Sequence, residues 1–95
     1  MADALIKNKN LMQRLNSVSR DDFVRAVQMA GLHVTKLTTG SHYAIRRPGF
    51  ASDDIRGVVT TIYEDMSKQT KMKIIKRLVR EGLPEDELWK NLGVL

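Results

Sequence analysis

The residues of this chain best suited to chemistry stand together in Gly40-Ser41-His42-Tyr43-Ala44-Ile45-Arg46-Arg47-Pro48, a turn glycine, a hydroxyl and an imidazole leading to two arginines. Cleaving RNA without a metal means drawing the proton from a ribose 2′-hydroxyl and protonating the leaving oxygen. An imidazole that titrates near neutrality can serve in either role. Arg46, on the same side of a strand as His42, can stabilise charge on the phosphate, with Arg47 near it, as can a backbone amide near Gly40 and Ser41. Ser41 has three readings, as a second proton donor, a phosphate contact or a turn residue, and its position does not choose among them. A half-exposed strand histidine with no catalytic task would show the same spacing. His33, the other histidine, reads as a surface residue.

The second cluster is cationic. Lys73, Lys76, Arg77 and Arg80 fall at i, i+3, i+4 and i+7, one edge of a helix, with Lys68 and Lys71 just upstream. A solvated helix face has the same composition. What favours phosphate tracking is the local absence of acid: no Asp or Glu occurs from Phe23 to Ser52 or from Met66 to Arg80. The whole chain carries 16 Lys and Arg against 11 Asp and Glu, a net charge of +5, as nucleic-acid-binding domains often do.

Ninety-five residues suffice for one domain. Cysteine is absent and histidine occurs twice, which excludes a disulfide framework, a thiolate zinc site and a His-rich metal cluster, so no metal or cofactor is expected. There is no GxxxxGK[ST] phosphate loop, no GxGxxG and no GxSxG, and single aromatics such as Phe50 and Trp89 do not make a base-stacking platform. No apolar run approaches the roughly 20 residues of a membrane span, and Met1 to Lys7 lacks the apolar stretch of a signal peptide. A soluble, cytoplasmic protein is the expectation.

The elements that must position these groups follow from local signals. Residues 1–18 read as an N-terminal extension with a short helix or none, and residues 19–95 as the domain. Ser19 with Asp21 and Asp22 opens a helix over about 20–30, whose apolar face is Phe23, Ala26, Val27 and Ala30 and whose stop is Gly31. From Leu32 the period changes to two, giving a first strand with Val34 and Leu37; Thr38-Thr39-Gly40 is a hairpin turn. In the second strand Tyr43 and Ile45 share one side, and His42, Ala44 and Arg46 the open one. Pro48 and Gly49 close this strand, Phe50 to Arg56 is a polar loop whose Asp53 and Asp54 serve solubility, and Gly57 to Tyr63 is the third strand. Ser67 or Thr70 caps a second helix reaching Glu81, with Met72, Ile75, Leu78 and Val79 as its stripe, and Pro84 opens a short last helix anchored by Leu88, Trp89 and Leu92. The architecture expected is α+β, α-β-β-β-α plus a short C-terminal helix, with a three-stranded antiparallel sheet and helices on one face.

The helix ending Ala30-Gly31-Leu32, Gly40-Ser41-His42-Tyr43 entering a strand that ends Arg46-Arg47-Pro48, the β-branched third strand, and the helix from Thr70 to Gly82-Leu83 resemble the HicA family of toxins over roughly residues 19–92. The resemblance implies a fold similar to a double-stranded-RNA-binding domain and messenger-RNA interferase activity within a toxin–antitoxin system. It implies His42 as catalytic histidine, Gly40 as the glycine that sets its turn, and a HicB-type antitoxin as partner. Tyr63 stands where many members carry a second histidine, the 49–57 loop is longer, and residues 1–18 have no counterpart. Two other functions fit the same elements: a non-catalytic module that binds double-stranded nucleic acid through charge, and a protein-interaction domain that engages an antitoxin-like partner.

Overall fold

The computed structural model describes Ile6 and residues 9–37 and 41–94. A 3₁₀ helix, Lys9–Ser17, precedes α1 (Arg20–Met29), β1 (His33–Lys36), β2 (Tyr43–Arg46), a 3₁₀ turn (Ile55–Gly57), β3 (Val58–Ile62), α2 (Lys68–Arg80) and α3 (Glu85–Leu92). The strands form one antiparallel sheet in the order β1-β2-β3. The protein is thus a small α+β domain with a three-stranded antiparallel sheet. Residues 38–40, which carry the expected hairpin turn and Gly40, lie outside the described residues.

Helix α1 starts where its signals stand. The Ser19 hydroxyl accepts from the Asp22 amide while the Asp22 carboxylate accepts from the Ser19 amide, so two amides that a helix start leaves free are bonded. At the other end Gly31, at φ +92°, lets the Leu32 amide reach back to the Val27 carbonyl and its own amide to Gln28. A side chain at that φ would be strained, which is why a glycine stands there. Phe23, Ala26 and Val27 face inward, and α1 packs against α3 and β1. Trp89 of α3, fully buried, keeps its indole N–H satisfied on the Glu85 carboxylate. Helix α2 lies against β3 and the N-terminal 3₁₀ helix. Its buried residues are Lys71, Ile74, Ile75 and Leu78, with Met72 and Val79 half-buried beside them, a stripe rotated from the expected one.

Residues 1–18 do not form a separate extension in their described part. Met12, Leu15 and Val18 are buried in the same core as Phe23, Ile45, Ile75 and Trp89. Met12 and Leu15, three residues apart, share one face of the 3₁₀ helix, and Val18 follows just past its end. Lys71 reaches from α2 to fasten this segment: its ammonium, on a residue 8% exposed, donates to the Leu15 carbonyl at 2.9 Å.

The sheet carries one irregularity that matters for the site. Ile45 pairs with Thr60 but Arg46 with Val58, a bulge that leaves Val59 as the extra residue in β3, opposite the end of β2. From there the chain enters the 48–57 loop, and Arg46 turns back into it. Gly57 sits against that guanidinium. A methyl group at residue 57 would lie 2.8 Å from Arg46 Nη2 and 2.8 Å from Phe50 Cβ. Gly57→Ala is therefore expected to lower stability by about 1–3 kcal/mol in urea denaturation. A variant as stable as wild type would show that the loop yields freely.

Candidate functional site

Strand register places His42. Because Tyr43 pairs with Ile62, the flanking residues His42 and Tyr63 come opposite one another on the other face. Their rings stack with centroids 5.2 Å apart and planes at 29°. His42 is half-buried, and its carbonyl accepts from the Leu37 amide at 2.9 Å, extending the β1–β2 pairing past the strand ends. Arg20, the first residue of α1, pins the same segment: Nη1 donates to the Ser41 carbonyl at 2.9 Å and the guanidinium lies 4.4 Å over the Tyr43 ring. Ser41 Oγ stands 3.5 Å from His42 Nδ1. The imidazole is thus held on one side and at one nitrogen, while Nε2 has no partner among the described residues.

Tyr63 also lines a cleft of about 460 Å³ between β3 and α2. Val59 and Ile74 contribute its apolar part; Thr60, Thr61 and Thr70 bring hydroxyls; Lys73 and Arg77 bring positive charge. Ser67 caps α2 by accepting from the Thr70 amide and donates its own hydroxyl to Thr70 Oγ1. A strand edge of threonines facing a helix edge of cations suits a phosphate group chemically.

The expected cations divide into two groups. Lys73, Lys76 and Arg80 lie along the outer edge of α2, with no acidic partner among the described residues. Arg46, Arg47 and Arg77 are engaged. Arg46 was expected on the open face beside a phosphate, yet it is 6% exposed, and Nη2 donates to the Ala51 and Asp54 carbonyls, both at 2.7 Å. The bulge and the returning loop cover it, so it is a scaffold for the 48–57 loop. Arg47 grips Glu81 through Nε and Nη2 and gives Nη1 to the Arg56 carbonyl at 2.7 Å. Arg77 reaches the same Glu81 carboxylate at 3.1 Å. Glu81, one residue past the acid-free run, thus sits between two of the expected phosphate ligands. Asp54, expected only for solubility, accepts from the Arg56 amide and pairs with its guanidinium.

The hydrogen bonds from Arg47 hold the Glu81 carboxyl below its ordinary value of 4.5, with burial opposing and the charges of Arg47 and Arg77 adding to the depression. The Ser19 amide does the same for Asp22 at the start of α1. A carboxylate whose folded value is depressed contributes stability that is full above its unfolded value and lost as pH falls through the folded one. Stability is accordingly expected to hold from neutrality down to about pH 5 and to fall below it. Glu81→Gln should cost about 1–2 kcal/mol at pH 7, and the gap from wild type should close below pH 4, read by urea denaturation at both pH values. A gap that persisted in acid would contradict this assignment.

Sequence reasoning missed Arg20, Lys71 and Glu81 at this site. Glu81 has a local signal, its i+4 position from Arg77; the other two act across 21 and 56 residues of chain and have none. Among the described residues no group of three His, Asp or Glu stands close enough to hold a metal ion, and no helix is long and apolar enough to cross a membrane. No family model, curated protein or solved structure matches the chain.

Proposed function

We propose that the chain binds single-stranded RNA along the outer edge of α2 and the β3–α2 cleft, and cleaves it without a metal, with His42 as general acid or base. The observation that carries this reading is the His42–Tyr63 stack. It sets an imidazole whose Nε2 has no partner among the described residues against a residue that lines a cleft bearing Lys73 and three threonine hydroxyls. In the reaction the ribose 2′-oxygen attacks phosphorus and the P–O5′ bond breaks, leaving a 2′,3′-cyclic phosphate and a 5′-hydroxyl. One proton leaves the 2′-oxygen and one arrives at O5′; His42 transfers one of them and solvent water the other, and Lys73 with the hydroxyls meets the phosphate charge.

On this reading the protein acts as a cytoplasmic messenger-RNA interferase similar to HicA toxins, with a fold akin to a double-stranded-RNA-binding domain and a HicB-type antitoxin as partner. A single strand is favoured over a duplex by the size of the free cationic edge. Lys73 to Arg80 spans roughly 10 Å of helix, short against the footprint of about 16 base pairs that duplex-binding domains cover. Induced expression in a bacterial host is expected to arrest growth, and His42→Ala to relieve the arrest at equal protein level. Arrest by both proteins would point to binding or partner engagement in place of cleavage.

A further inference from the structure

Tyr63 separates two clefts. Besides the β3–α2 cleft it lines a second, of about 330 Å³, formed by the end of the N-terminal 3₁₀ helix, the start of α1 and the β3–α2 connection. A nucleotide whose phosphate meets Lys73 therefore lies across one ring from this second cavity. We infer that the second cleft takes a guanine base of the bound RNA, an inference that rests on the RNA-binding reading above.

The two clefts differ in the chemistry of their walls. Asn16, Ser17 and Ser19 bring neutral polar groups to the second cleft, and Asp21, Glu64 and Asp65 bring carboxylates. Carboxylates repel a phosphate and accept from N–H, so the backbone is excluded and a donor-bearing base edge is admitted. The two cations there are already committed. Lys71 gives its ammonium to the Leu15 carbonyl, and Arg20 donates to Ser41 and pairs with Asp21 and Glu64. Asp65 is the carboxylate of this cleft with no charge partner among the described residues.

A carboxylate accepts best from two parallel N–H groups. Guanine offers that pair, N1–H beside N2–H₂. Adenine and cytosine place a ring acceptor beside their amino group, and uracil sets its single N–H between two carbonyls, so each turns a repelling lone pair toward the carboxylate. Tyr63 supplies an aromatic wall that any base can stack on. The clefts thus divide a nucleotide, phosphate on the Lys73 side and base on the Asp65 side.

The test is a titration of the ¹⁵N-labelled full chain with each of the four ribonucleoside 5′-monophosphates, followed by amide shifts. All four are expected to shift Thr61 and Lys73. GMP alone should also shift Ser17, Ser19 and Asp65, binding about 10-fold tighter than UMP, and Asp65→Asn should abolish that preference while keeping the Lys73 shifts. Four nucleotides that shift only the Lys73 side, or a GMP preference that survives Asp65→Asn, would overturn the guanine site and leave the RNA reading standing. No shift at either cleft would overturn both.

Discussion

His42→Ala is expected to lower the single-turnover rate of RNA cleavage by about 10²- to 10⁴-fold, the usual worth of a positioned acid or base, while the dissociation constant for RNA stays within about threefold. The split follows from where the ring sits. The contacts of the ring are the Tyr63 stack and the Ser41 hydroxyl, whereas Lys73, Lys76 and Arg80 lie on α2. Removing it forfeits a stack worth about 1 kcal/mol, which a folded domain tolerates. An unchanged rate with weakened binding would make His42 a contact residue only.

The second large effect concerns binding. Lys73, Lys76 and Arg80 share one edge of α2 and have no acidic partner among the described residues, and three phosphate contacts on a single strand give a slope of about −2 in log affinity against log salt. Affinity should then fall about 20-fold between 50 and 200 mM salt. Changing all three to Gln should flatten the slope and weaken binding at 50 mM by roughly 10²- to 10³-fold. Arg77→Gln should matter far less, because Glu81 already holds that guanidinium. Fluorescence anisotropy with a labelled single-stranded RNA reads all of this. An equal loss from Arg77→Gln would show that RNA displaces Glu81.

What was legible in the chain was local. The Ser19–Asp22 capping box, the glycine after Ala30, the alternation around Tyr43 and Ile45, and Ser67 before α2 each act within a few residues, and each element begins or ends where those signals stand. The N-terminal segment carries Leu5, Ile6, Leu11, Met12 and Leu15 at roughly helical spacing, which does not tell whether it packs on the domain; Met12, Leu15 and Val18 join the core. Of the candidate site, alternation puts His42 on the side of β2 away from Tyr43 and Ile45, but that side is not open along its length: Ala44 is 3% and Arg46 6% exposed. The fate of the arginines was not legible. Arg46 points to the expected side but is covered by the returning loop, and Arg47 meets Glu81 from 34 residues away. A run without acids in sequence is thus not a surface without acids. Glu81 neutralises part of it by holding Arg77, so of the four cations expected along the α2 edge Lys73, Lys76 and Arg80 keep no acidic partner among the described residues.

That narrowing sharpens the mechanism. With Arg46 and Arg47 committed to the fold, the proposed mechanism leaves charge at the phosphate to Lys73 and the threonine hydroxyls and assigns proton transfer to His42. The most direct measurement is the chemistry of the ends produced when the purified chain meets single-stranded RNA in EDTA. The account predicts 2′,3′-cyclic phosphate and 5′-hydroxyl ends from wild type, and none above background from His42→Ala. Cleavage that requires added metal, or that leaves 5′-phosphate ends, would contradict it.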